Sequence, residues 1–119
     1  PQYMILLTEN DHAWKKLTEE QRGALLKKYF AWVGQLKEQG RMRGGEPLAA
    51  GGRVLSAGGG GIGERPYTET KDVLTGFFLI EAKDLDEASG VARGCPALEH
   101  GETVWVRPVA DYSTDHAGA

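Results

Sequence analysis

Residues 66–82 read PYTETKDVLTGFFLIEA: a charged, turn-like half followed by an apolar half. Val73 to Glu81 has the length and the aromatic and β-branched content of a strand. Phe77, Phe78, Leu79 and Ile80 are apolar at four consecutive positions, so both faces of that strand carry apolar side chains. Such a strand belongs in the middle of a sheet. Tyr3-Met-Ile-Leu-Leu7 is a second run of the same kind, ended by the polar residues 8–11, and it too reads as a strand buried on both faces.

Between these runs the pattern turns helical. Thr18-Glu-Glu-Gln21 is a capping box, with Glu19 and Glu20 at the positive end of the helix dipole. Leu25, Tyr29, Trp32 and Leu36 follow at three- and four-residue steps, with Leu26, Phe30 and Val33 widening the apolar stripe and Gly40 as the terminator. Asp84 caps a second helix, with Glu87 three residues on. Leu85, Ala88, Val91 and Ala92 form its apolar face, and Gly94-Cys-Pro96 ends it. Residues 103–109 alternate, with Val104 and Val106 on one side and Thr103, Trp105 and Arg107 on the other. Residues 41–48 read as an irregular strand that Pro47 confines to an edge, residues 53–57 as a further strand, and the glycine-rich 58–63 as a loop.

Strand, helix, strands, helix, strand is the order of a split βαβ, so the expected fold is α+β and ferredoxin-like. Helices then cover one face of the sheet, and the two-sided apolar strands leave the other face unburied. A wet apolar patch of that size is rare on a monomer. A second copy is expected to cover it, giving a homodimer whose sheets face one another; the alternative cover is the loop 49–65 of the same chain.

The chain has 119 residues, enough for one core, with residues 1–110 expected to form one domain and 111–119 a flexible tail. A formal net charge of −3 with scattered basic residues argues against a nucleic-acid partner. No apolar run approaches the roughly 20 residues that cross a bilayer, and no leader-like segment opens the chain. The single cysteine, Cys95, can make no internal disulfide. The expected location is cytoplasmic, with no membrane association.

Several residues could carry chemistry. Gly58, Gly60 and Gly63 satisfy G-x-G-x-x-G, but no helix start follows at Glu64-Arg65-Pro66, so a flexible loop fits better than a nucleotide site. His12, His100, His116 and Cys95 lie at no metal-ligand spacing, and no metal or other cofactor is expected. His100, just before the last strand, remains an acid–base candidate at the edge of a cleft. Glu69, Lys71 and Asp72 crowd against the start of a buried strand, where charged side chains are held rigidly enough to bind a ligand or transfer a proton. On residue pattern alone, a solvated turn or a structural ion pair between chains explains them better. Glu46, between Gly45 and Pro47, shares that ambiguity.

Residues 66–72, PYTETKD, resemble the D-G-P-F-A-E-T-K-E motif of a family of small bacterial YCII-related proteins. The likeness extends through Tyr3-Met-Ile-Leu-Leu7, Gly44-Gly-Glu-Pro-Leu48, Gly76-Phe-Phe-Leu-Ile-Glu-Ala82, Asp84-Leu-Asp-Glu-Ala88, Cys95-Pro-Ala-Leu98 and Val106-Arg-Pro-Val109. It implies a ferredoxin-like domain that dimerises into an α/β barrel. Departures are visible: Glu64-Arg65 stands for the motif's Asp-Gly, the strand pair before the motif looks shortened into the glycine loop, and Trp105 replaces a frequent glutamate. Related members carry a His–Asp pair with its histidine in the first long helix, but 18–39 contains none.

What the resemblance carries over is the charged set Glu46, Glu69, Lys71 and Arg107. The expected function is binding of a small polar or anionic ligand in a cleft of the homodimer, with whether it is an enzyme left open. Glu69 and Lys71 are the candidate acid–base pair, and Glu46, Tyr67, His100, Trp105 and Arg107 the candidate ligand contacts. The alternative is a non-catalytic regulatory module, since members are often encoded beside alternative sigma factors.

Overall fold

The computed structural model describes residues 1–10, 13–69 and 72–111. Strands β1 (Gln2–Glu9), β2 (Met42–Pro47), β5 (Val73–Glu81) and β6 (Thr103–Pro108) form an antiparallel sheet in the order β2-β5-β1-β6. Helix α1 (Glu19–Glu38) connects β1 to β2, and α2 (Leu85–Ala92) connects β5 towards β6. Strands β3 (Arg53–Gly58) and β4 (Gly61–Pro66) make a separate two-stranded ribbon between β2 and β5. The arrangement is compatible with a ferredoxin-like fold. Among the described residues no helix is long and apolar enough to cross a membrane.

Local chemistry sets the helix ends as expected. The Gln21 amide donates to Thr18 Oγ1 (3.1 Å) and the Thr18 amide donates back to Gln21 Oε1 (2.9 Å). The Glu87 amide donates to Asp84 Oδ1 (2.8 Å) at the start of α2. The Glu87 carboxylate does not close the box. It takes Arg41 Nη1 at 2.7 Å and the Lys83 amide at 3.2 Å, tying α2 to the chain entering β2.

Strand register decides which side chains meet the helices. Ile5 pairs with Phe78 on one side and Val106 on the other, and Tyr3 with Ile80 and Pro108. Tyr3, Ile5, Leu7, Phe78, Ile80, Val104 and Val106 therefore share the helix-facing side. Trp32 meets Phe78 edge-on (5.1 Å between centroids) and Tyr29 stacks on it (6.5 Å), while Leu25 and Leu36 are buried on the same helix. Ile5 and Ile80 are completely buried, each contributing roughly 1.5–3 kcal/mol.

Four expectations need correction. β1 is not buried on both faces: it alternates, and Met4 and Leu6 are only half-buried, because both helices lie on the other side. Leu26 and Phe30 do not widen the buried stripe of α1; Phe30 is 75% exposed, since a helix on a flat sheet touches it along one narrow row. Leu85 is likewise half-exposed, and Ala88 and Ala92 make the α2 contact. Residues 58–63 are not a loop. Gly59 and Gly60, both at positive φ (50° and 103°), form a two-residue turn between paired Gly58 and Gly61, a turn whose twist suits a hairpin. The strand pair before the charged stretch is therefore complete. Every residue of β4 is exposed, and of β3 only Val54 is half-buried, so the hairpin does not cover the open face of the sheet. The tail expected over 111–119 lies, Asp111 excepted, outside the described residues.

Pro47 does sit on an edge strand, and beside it Gly45 is forced. A Cβ there would stand 2.8 Å from the Phe77 carbonyl oxygen and 3.2 Å from the Phe78 Cα, at a φ of 157°. Backbone atoms of a central strand cannot step aside. Gly45→Ala is expected to destabilise the fold by about 1–3 kcal/mol, measured as a lower urea midpoint with unchanged slope; an unaltered midpoint would show that β2 detaches from β5 at no cost.

Candidate functional site

The charged stretch folds as a 3-10 turn, Tyr67–Glu69, followed by the entry to β5. Tyr67 is half-buried, and its amide donates to the Gly52 carbonyl (3.4 Å) at the base of the hairpin. Glu69 ends the turn; its side chain, and the whole of Lys71, lie outside the described residues.

The other expected residues divide between two edges of the sheet. Glu46 pairs with Phe77, Phe77 with Leu6, and Leu6 with Trp105, so these four form one row across the open face. Arg107 lies one row along, beyond Met4 and Leu79. Glu46 and Trp105 thus stand three strand spacings apart, roughly 14 Å. A single chain brings Trp105 and Arg107 together on β6 but leaves Glu46 at the far edge. Between them is an apolar strip of half-buried Met4, Leu6, Phe77 and Leu79. Two shallow hollows lie elsewhere. One, of about 370 Å³, is lined by Gly40, Arg41, Glu81, Lys83 and Glu87; the other, of about 250 Å³, is at the hairpin base beside Arg53, Glu64 and Arg65.

His100 is placed differently from the rest. It ends the 3-10 turn Pro96–His100, and Gly101 at φ 88° redirects the chain so that Glu102 points inward just before β6. His100 Nε2 stands 2.8 Å from Glu102 Oε2, with the two side chains only 8% and 5% exposed. The contact is short, yet neither imidazole nitrogen has a hydrogen-bond partner among the described residues. Glu102 Oε1 accepts a 2.6 Å hydrogen bond from Thr75 Oγ1, which also reaches the Leu7 carbonyl (3.3 Å). Thr75 is the extra residue of a β-bulge, since Leu7 pairs with Gly76 and Thr8 with Leu74. Trp14, from the turn before α1, packs edge-on against the His100 ring at 6.3 Å, and Arg22 lies 5.9 Å over the Trp14 ring.

Burial controls the electrostatics here. It lifts the Glu102 carboxyl above the ordinary carboxylate range; the Thr75 hydroxyl and His100 pull it back, and Glu9 adds to the lift. Burial pushes the Cys95 thiol up to about 11, with Glu102 adding to the rise. Burial is also the first cause of the rise at Tyr29, with the neighbouring Cys95 and Glu102 adding to it. These groups, met from β1, α1, β5 and the turn before β6, form one buried polar cluster at the end of the sheet where β5 begins.

Glu102 had a signal in the sequence: it shares the period-two parity of Val104 and Val106, which puts a carboxylate on the core side. Thr75 had none, because without the bulge it would face the other way. Among the described residues no group of three or more His, Cys, Asp or Glu is placed to hold a metal; His12 and His116 lie outside those residues.

A family model of the YCII-related domain matches residues 2–113. The chain belongs to that family. Among solved structures, this YCII-related chain is similar to the 5-chloro-2-hydroxyhydroquinone dehydrochlorinase TftG of Burkholderia phenoliruptrix AC1100, in complex with 2,5-dihydroxybenzoquinone. The TM-score is 0.56 at 20% identity, over 92% of this chain and 94% of that one, a likeness of fold. No curated protein matches the chain.

A thiol this buried is neither accessible nor ionised near neutrality. Cys95 is expected to resist a neutral-pH alkylating reagent in the folded protein and to react at once in denaturant; stoichiometric labelling of the native form would show that the cluster opens readily.

Proposed function

We propose that this YCII-related protein binds a small, planar, polar or anionic ligand on the open face of its sheet, in a cleft completed by a second copy. One observation carries the reading: Trp105 and Arg107 lie two residues apart on edge strand β6, with the same outward parity, beside an apolar strip that the chain's own helices and hairpin leave uncovered. An indole offers a stacking surface and a guanidinium a fork of donors for an anionic oxygen. The ligand in the TftG complex, a dihydroxybenzoquinone, has that chemistry: a flat ring with acidic hydroxyls.

The homodimer is part of the proposal. Glu46 is too far from Arg107 to act beside it within one chain, whereas a facing copy can supply the opposite edge. The apolar strip gives such a copy something to bury. Glu69 and Lys71, on the segment that enters β5, are the groups we assign to any proton transfer, with Tyr67 as a further aromatic contact.

The probe is 2,5-dihydroxybenzoquinone itself, titrated against tryptophan emission, with light scattering on the same samples. Saturable quenching is expected from a dimer, and Arg107→Ala should weaken it about tenfold or more, as expected for loss of a charge-assisted hydrogen bond worth about 1.5–3 kcal/mol. Trp105→Phe should retain binding. A monomer at micromolar concentration removes the shared cleft. Equal binding by the wild type and Arg107→Ala, or none by either, removes the site and favours a regulatory module without a ligand of this class.

A further inference from the structure

Two apolar surfaces of this chain lack cover, and they do not meet within one copy. The first is the open face of the sheet. The register places Leu74 opposite Thr8, on the side of Leu6 and Phe77, and Leu74 and Trp105 are half-exposed there. The second is the ribbon of β3 and β4. Its pairing sets Ala57 opposite Ile62 and Leu55 opposite Glu64. Arg53, Leu55, Ala57, Ile62 and Glu64 therefore share one face, and Val54, Ser56 and Arg65 the other. Leu55 is 63% exposed and Ile62 76%.

A two-stranded ribbon with nothing packed against it is at best marginally stable in water. This one pairs with no strand of the main sheet, so its apolar face needs a surface to hold the ribbon in shape. Charge placement suits such a contact. On the apolar face Arg53 Nε stands 3.1 Å from Glu64 Oε1, so the two charged side chains neutralise each other, while Arg65 lies on the opposite face. Area points to the same need. The open sheet face, four strands wide and about six residues long, covers roughly 19 by 20 Å, or about 400 Å² in projection. Each partner of a stable complex buries roughly 800 Å². One face of the ribbon is half as wide and of the same length, and it raises the total to about 600 Å² in projection.

We propose that the β3–β4 hairpin is an exchanged arm, whose Leu55, Ala57 and Ile62 face packs on the open sheet face of a second copy over Leu6, Leu74 and Phe77. The inference rests on the homodimer proposed above and adds what each copy contributes to it. In a twofold pair each copy gives an arm and receives one. Facing twisted sheets separate at their corners, which leaves room for a ribbon at the rim of the cleft. Leu6 and Phe77 lie in the row that ends at Trp105. The arm thus becomes one wall of the ligand site on the other chain, and that site is incomplete without the partner copy's hairpin.

Isotope-filtered NMR on a sample refolded from equal parts of carbon-labelled and unlabelled chain tests this on the unsubstituted protein. Cross-peaks are expected between the Ile62 methyls of one copy and the Leu6 or Leu74 methyls of the other. Contacts from Ile62 to the sheet of its own chain, or to neither sheet, overturn the arm. Ile62→Asp should raise the dimer dissociation constant about tenfold or more, the expected effect of losing one large buried aliphatic side chain. Ser56→Asp, on the opposite face of the same ribbon, should leave it within about twofold, as for an ordinary surface change. Equal effects of the two substitutions, or none from Ile62→Asp, overturn the arm. A wild type that stays dimeric while these tests fail leaves the shared cleft standing, whereas a wild type monomeric at micromolar concentration removes both.

Discussion

The structure depends on a mismatch between apolar strands and helical cover. β1 and β5 carry apolar side chains towards both sides of the sheet, but α1 and α2 occupy one side. On that side the packing is dense: Phe78 is held between Tyr29 and Trp32, and Ile5 and Ile80 have no exposed surface. On the other, Met4, Leu6, Phe77 and Leu79 are partly wet. The same alternation that builds the core thus places an apolar strip that, among the described residues, neither the helices nor the hairpin covers.

Much of this was legible from residue pattern, and the exceptions have physical causes. The capping box at Thr18, the cap at Asp84 and the edge position of Pro47 follow from local chemistry and appear where expected. Continuous apolar runs misled for β1, because a run such as YMILL does not say which face receives a helix. Leu26 and Phe30 misled in the same way, since a helix seated on a sheet buries a narrower arc than its apolar residues span. The glycine stretch hid a hairpin: at Gly59-Gly60 the missing side chains allow a tight turn, and low complexity there is conformational freedom at one point between two paired strands.

The polar cluster was the least legible part. His100 could be singled out because it precedes a strand, but its partner is defined by parity and its environment by elements from across the chain: Glu9, Trp14, Tyr29, Thr75 and Cys95. Buried polar groups cost stability unless they are hydrogen-bonded. A fold that keeps His100 against Glu102 close to the start of β5, with the imidazole unsatisfied among the described residues, is accepting a cost at a particular place rather than spreading it through the core.

The bulge at Thr75 has a consequence for how the chain tolerates change. Gly76 and Leu74 already face Leu7 and Thr8, so for pairing with β1 Thr75 is a supernumerary residue. Deleting it would close the two ladders into one regular register, with each remaining side chain on its present face. What disappears is the hydroxyl that reaches Glu102. At this point the length of the chain, independent of the identity of any sheet-forming residue, determines whether the carboxylate has a donor. A gap of one position here would leave the architecture readable and remove part of its electrostatics, a kind of divergence that comparing folds alone would not detect.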